Sequence, residues 1–220
     1  MTSPSAEPKC TLELINLHDQ AQADELLRQR LICGWDDTQA HIDKWRNDMD
    51  TQVRGMFWIK LPPSSSSPSG ATATAEPIIG HISLDSITNP PDAEVADPLH
   101  KSVLTINTLF ILPGHRSSGL GRAAFEQVER YAQVGPYGSP DCKALTVNAL
   151  HRRYVEEDEW RRYMDVRNLP NPPKGRSNED WYVRMGYVKW KEEPRYPVRD
   201  AEGREEEVKL LASFLKKRLG

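Results

Sequence analysis

Residues 11–17 alternate apolar and polar side chains, with Leu12 and Leu14 on one side, and predict a first strand. After Asp19 the spacing changes to three and four. Ala23, Leu26, Leu27, Arg30 and Leu31 predict a helix that ends near Gly34, a residue suited to a C-terminal cap. A second helix is expected beyond Asp37, with Ile42, Trp45 and Met49 on one face. Residues 55–61 (GMFWIKL) and 77–87 (PIIGHISLDSI) read as two strands paired in a hairpin. Between them, residues 62–76 (PPSSSSPSGATATAE) hold too little apolar surface to offset their chain entropy. They are expected to form a flexible Ser/Pro-rich loop. A linker between domains fits less well, because neither half of the chain holds a full set of elements.

The strongest strand pattern spans 103–112 (VLTINTLFIL), after a loop at 88–102 that contains three prolines. It leads through Pro113 and Gly114 into Gly119-Leu120-Gly121 and an amphipathic helix to about residue 134, with Leu120, Ala124, Val128 and Tyr131 on one stripe. Residues 143–150 (KALTVNAL) read as the next strand. A charged insert covers 151–177. A short helix with Trp181, Tyr182 and Met185 then ends at Gly186, and strands follow at 187–192 and 208–214. The order β-α-α-β-β-β-α-β-α-β-β predicts an α/β (α+β) domain, a mixed sheet with helices on its faces. The strand–helix–strand unit at 103–150 is expected to be a parallel, right-handed crossover. One domain is expected over 9–220, after a disordered tail at 1–8.

Composition narrows the classes. With 29 Lys and Arg against 32 Asp and Glu, the net charge of −3 supplies no general field for gripping a phosphate backbone, so no nucleic-acid partner is expected. No apolar run is long enough to span a membrane, and the N-terminal residues do not resemble a signal peptide. Cys10, Cys33 and Cys142 are far apart and form no CxxC pair, which argues against a zinc site and a disulfide framework. They are expected to be packed thiols in a cytoplasmic, reducing setting, with no metal bound.

The turn between the strong strand and the long helix carries the candidate chemistry. Helix N-termini offer unpaired N–H groups and the positive end of the dipole, and glycine lets a ligand approach the main chain. This suits a phosphate or pyrophosphate. Gly121 is followed by Arg122-Ala123, not Lys-Ser/Thr, so a nucleotide P-loop is excluded, and the glycine spacing lacks GxGxxG. What stands is Arg116-x-x-Gly119-x-Gly121 after Pro113, with Tyr182-Val183-Arg184-Met185-Gly186-Tyr187 downstream. Motifs and strand order together resemble the GNAT superfamily of N-acetyltransferases over roughly 11–214.

The resemblance implies a mostly antiparallel central sheet flanked by helices, with a splayed pair of parallel strands. It implies acetyl-CoA as co-substrate, its pyrophosphate on Arg116, Ser117, Ser118, Gly119, Leu120, Gly121 and Arg122. Its pantetheine is then expected against Leu109, Phe110 and Ile111, where a backbone N–H polarises the thioester carbonyl, and Asn148 is a further contact. Tyr182 is implied as the acid that protonates the leaving thiolate. Relatives with a base on the strong strand carry it at positions that are Thr105 and Asn107 in this chain, and neither titrates usefully. The proton therefore leaves through water or to a base elsewhere, for which His81 and Asp85 are candidates. The expected acceptor is a small amine or a peptide or protein amine, taken by a monomer or homodimer. Glu156–Glu159, Trp160 and Tyr163 in the insert, and Trp35 and Trp45 near the first two helices, either shape its groove or serve as solvated charge and core. The alternative function is a non-catalytic CoA-binding or protein-interaction module on the same fold.

Overall fold

The computed structural model describes residues 8–62, 76–166, 169, 172–199 and 205–220. Apart from their end residues, the tail expected at 1–8 and the loop expected at 62–76 lie outside them. The elements in chain order are β1 (Thr11–Leu14), α1 (Gln20–Cys33), α2 (Gln39–Asp50), β2 (Arg54–Lys60), β3 (Ile78–Asp85), β4 (Val103–Ile106), β5 (Leu109–Ile111), α3 (Leu120–Tyr131), β6 (Ala144–Leu150), α4 (Arg153–Glu156), α5 (Asp158–Val166), α6 (Asn178–Arg184), β7 (Val188–Arg199) and β8 (Glu205–Arg218).

The local signals act as read. The Asp19 carboxylate accepts from the N–H groups of Ala21 and Gln22 to open α1, and Gly34 closes it in the left-handed conformation. β2 and β3 pair antiparallel, with Arg54 opposite Asp85. The sheet order is β1-β2-β3-β4-β6-β8-β7, antiparallel except for β4 beside β6. One face packs Leu104, Ile106, Leu145 and Val147 against Ala124, Phe125 and Val128 of α3 and Tyr182 of α6. The other packs Met56 and Trp58 against Leu26 of α1 and Ile42 and Trp45 of α2. The sheet is thus sealed between two helical layers.

Four readings need correction. The run at 103–112 is two strands, broken at Asn107 and Thr108. Both β4 and β5 pair with β3, but only β4 pairs with β6. The last two strands are 12 and 14 residues long, because the insert covers their outer half. It folds as α4 and α5 and packs Tyr154 and Met164 on Val198 and Leu210. On α1 the buried face is Ala23, Leu26, Gln29 and Arg30, while Leu31 is exposed. Cys10 and Cys142 are buried free thiols, but Cys33 is only half-buried. Among the described residues no helix is long and apolar enough to cross a membrane, and no His/Cys/Asp/Glu group is arranged to hold a metal.

Candidate active site

The break in the strong strand opens a gap in the sheet. Pairing of β4 with β6 runs from Val103 opposite Ala144 to Ile106 opposite Val147 and stops there. Past that point β5 follows β3, while β6 continues along β8 with Asn148 opposite Phe214. The Thr108 carbonyl accepts from Ser83 N–H at 3.0 Å, and Leu112 N–H donates to the Ile79 carbonyl at 2.9 Å. With a period of two, the main-chain groups of Leu109 and Ile111 therefore point away from β3 into the gap. The Ile111 carbonyl is already taken by Arg116 Nε at 2.9 Å. Both main-chain groups of Leu109 and the N–H of Ile111 face the gap.

The N-terminus of α3 stands at the end of β5, beyond a 3₁₀ turn at Pro113–His115. Gly119 occupies the N-cap position in the left-handed conformation with φ 82°, so it offers no side chain to cap the helix, and the first turn holds no acidic residue. The first intrahelical bond runs from Ala123 N–H to the Gly119 carbonyl, which leaves the amides of Leu120, Gly121 and Arg122 without an intrahelical acceptor. Ser117 has φ 64°, and Ser118 Oγ donates to the His115 carbonyl at 2.6 Å, holding the turn. Arg116 lies over the Phe110 ring, 5.4 Å from its centroid, and pins the turn to β5. Arg122 reaches Glu126 at 2.8 Å.

Lys9 was not singled out from the sequence. A Cβ placed on Gly119 would lie 3.1 Å from its Nζ. The segment is held there by Cys10, whose carbonyl accepts from Gln127 Nε2 of α3 at 2.9 Å. A cation at the positive end of a helix dipole is unfavourable unless an anion joins it. Open amides, Lys9 and Arg122 therefore fit a diphosphate.

Tyr182 enters from the other side. It is 8 % exposed, packed on Phe125, Trp181 and Tyr187 with ring centroids 5.0–6.2 Å apart. Burial pushes its phenol up, so it stays protonated. The short helix α6 is fixed by Glu179, which accepts from Ser213 Oγ at 2.7 Å and Arg152 N–H at 2.9 Å and pairs with Lys189 at 3.0 Å. Asn148, on β6 just past the last β4 pair, accepts from Tyr196 Oη at 2.8 Å. The Tyr196 ring meets Trp35 of the α1–α2 loop at 5.5 Å, so Trp35 and Tyr196 bridge the two sides of the gap. Tyr196 sits among prolines and charges, and no sequence signal pointed to it. Trp45, in contrast, is core, flanked by the guanidinium groups of Arg30 and Arg54 at 5.5 and 5.1 Å. The insert residues Trp160 and Tyr163 pack on the cluster of Tyr154, Met164, Val198 and Leu210.

The two candidate bases differ. His81 is fully buried, with Nδ1 2.9 Å from Gln29 Oε1 and Nε2 3.4 Å from Arg30 Nη1. An arginine only donates, so Nε2 is the acceptor and the proton sits on Nδ1. Burial, then the Arg30 charge, hold its pKa well below the ordinary value. The lone pair is occupied and the ring is locked neutral. Asp85 is also fully buried, 2.9 Å from Arg54 Nη2. Burial raises its pKa to about 6 against the opposing charge of Arg54.

This arrangement, a sheet splayed beside an uncapped glycine turn, defines the fold of the GNAT N-acetyltransferases, and solved structures of that class superpose on it along nearly the whole chain. NAA60 of Arabidopsis thaliana, solved with a bisubstrate analogue, is 12 % identical with a TM-score of 0.58, over 96 % of this chain and 99 % of that one. Spermidine N-acetyltransferase of Vibrio cholerae, solved with CoA and spermine, is 12 % identical with a TM-score of 0.53, over 96 % and 95 %. An aminoglycoside 6'-N-acetyltransferase solved with coenzyme A is 11 % identical with a TM-score of 0.55, over 94 % and 96 %. No family model matches the sequence, and no curated protein matches it.

Proposed function

We propose that this chain transfers the acetyl group of acetyl-CoA to a primary amine by direct attack. The observation that carries the reading is the alignment of two features. The amides of Leu120, Gly121 and Arg122 open at one end of the gap, and Leu109 presents its main-chain N–H within it. The N-terminus of α3, with Lys9 and Arg122, holds the diphosphate. Pantetheine lies along β5, pairing with the free main-chain groups of Leu109 and Ile111, and Asn148 borders it from β6. The solved structures of the same fold that contain CoA or acetyl-CoA support acetyl-CoA as the co-substrate.

The amine nitrogen attacks the thioester carbon while the Leu109 N–H stabilises charge on the carbonyl oxygen. The C–S bond then breaks, and Tyr182 Oη donates a hydrogen bond to the sulfur as its charge develops. A free thiol has a pKa of about 8.5 and a phenol about 10, so even in water transfer from phenol to thiolate is uphill. Burial raises the phenol further. Tyr182 therefore keeps its proton and acts as a hydrogen-bond donor to the developing thiolate, which takes its proton from solvent. No protein nucleophile is needed, because bringing the two substrates together supplies the acceleration.

The acceptor amine enters under Trp35 and Tyr196, whose aromatic faces suit a cation or its alkyl stem. Solved proteins of this fold include acetyltransferases named for spermidine, an aminoglycoside and a ribosomal protein. The test is release of free thiol from acetyl-CoA with spermidine, an aminoglycoside, a peptide with a free α-amine and an N-blocked lysine peptide. Turnover well above acetyl-CoA hydrolysis on at least one is expected. Binding of acetyl-CoA without turnover on any amine would favour a non-catalytic module.

A further inference from the structure

The strong strand has no carboxylate to take the amine's proton, but a buried one stands on the neighbouring strand. Asp85 and Arg54 face each other across β2 and β3 and pair through Oδ2 and Nη2 at 2.9 Å. Beyond that pair, Asp85 Oδ1, Arg54 Nε and Nη1, and Thr108 Oγ1 are buried without a hydrogen bond. Asp85 stands opposite Thr105 and Ser83 is bonded to Thr108, so this stretch of β3 flanks the break at Asn107–Thr108. Buried polar atoms in such number call for bridging water or a functional role. A buried ion pair is also poor value for stability alone, since apolar residues of like size commonly do as well.

Ser83 stands between Asp85 and the break. Thr108 N–H donates to Ser83 Oγ at 3.2 Å, which leaves the Ser83 hydroxyl hydrogen free to turn towards Asp85, two residues along the same face. Ser83 and Asn107 both face the Asp85 carboxylate. Asn107 is exposed in the middle of the sheet, so solvent from the gap reaches the break. Asp85 lies three residues beyond Ile82, the partner of Leu109, or about 10 Å at 3.3 Å per residue. That is too far for direct contact with the amine and suits a relay. The other charged groups here are Arg54 of β2 and Asp48 of α2, the latter 3.7 Å from Arg54 Nε. His81, the alternative base, has its lone pair engaged by Arg30.

We propose that Asp85 is the acceptor of the amine's proton, relayed through the Ser83 hydroxyl at the strand break. Water beside Asn107 takes a proton from the attacking amine and gives one to Ser83 Oγ, as Ser83 passes its own hydrogen to Asp85. Each oxygen gains one proton and loses one until Asp85 holds it, and the carboxylate later returns it to solvent. Neither residue touches substrate, so both act through the relay. The assignment rests on the acetyltransfer reading and adds the route of the proton.

The experiment is kcat against pH, using whichever amine of the panel turns over fastest, with acetyl-CoA affinity measured in parallel. The wild type is expected to lose kcat as pH falls through about 6. Asp85→Asn is expected to lower kcat about 100-fold, abolish that limb and leave acetyl-CoA affinity within about twofold of wild type. Ser83→Ala keeps the ion pair, and is expected to lower kcat about tenfold at unchanged affinity. A folded Asp85→Asn variant that retains the limb, or Ser83→Ala at full kcat, overturns the proposal. If Asp85→Asn does not fold, Ser83→Ala decides. Wild type that binds acetyl-CoA but acetylates nothing sinks the acetyltransfer reading and the relay with it, whereas turnover with unchanged variants sinks the relay alone.

Discussion

At Tyr182 a single oxygen separates a chemical role from a structural one. The ring packs on Phe125, Trp181 and Tyr187, so Tyr182→Phe keeps the packing and removes only the donor. The expected outcome is a kcat lowered about 100-fold with acetyl-CoA affinity within twofold, read by steady-state kinetics and calorimetry. Unchanged kcat from pH 6 to 9 would take Tyr182 out of the reaction. The sequence placed Tyr182 on a short helix before Gly186 by motif, but it could not weigh His81 against Asp85. That choice turns on partners 51 residues away for His81 (Arg30) and 31 away for Asp85 (Arg54). Lys9 and Tyr196 escaped for the same reason. A lone lysine before a strand and a tyrosine between prolines carry no periodic signal, and only the folded chain brings them to the α3 N-terminus and to Asn148.

At the scale of elements, the proposed diphosphate site is the turn into α3. Its amides are uncapped and its first turn lacks acidic residues, an arrangement that leaves positive potential unopposed. Ser118 is exposed beside it. Ser118→Asp adds a negative charge that favours the helix dipole but repels a diphosphate. Its melting temperature without ligand sets that gain against the lost Ser118 Oγ bond to the His115 carbonyl and is expected to change by no more than about 4 °C either way. At acetyl-CoA about 100 times above the dissociation constant, wild type is expected to gain about 5–10 °C, and the variant less than half as much. An equal gain would mean that the anion does not sit on this turn. The helix and its glycines were legible, because spacing and punctuation are local. The break at Asn107–Thr108 was not, since both halves of the run remain bonded to β3 and look alike in sequence. The long β7–β8 pair was also underestimated. Pro194 and Pro197 lie beyond the strand expected at 187–192, but β7 is the sheet edge, where a missing N–H is tolerated.

Across the whole molecule, one sheet between two helical layers brings remote segments to a single gap. The α1–α2 loop supplies Trp35, β5 supplies Leu109, β6 supplies Asn148, α6 supplies Tyr182 and β7 supplies Tyr196. The element order foretold the mixed sheet and its parallel pair, because hydrophobic periodicity survives in every strand that borders the core. The insert at 151–177 was legible as charge with two aromatic side chains, Trp160 and Tyr163, which do dock. Its apolar docking residues, Tyr154 and Met164, are scattered among arginines and acids and show their role only against Val198 and Leu210. A net charge of −3 hides the local positive edge made by Lys9, Arg122 and the α3 dipole. Titration calorimetry of the purified chain with acetyl-CoA tests that edge most directly. The account predicts one site per chain with a dissociation constant of roughly micromolar order, together with a rise in melting temperature. No heat at two temperatures and no thermal shift up to about millimolar ligand would contradict it.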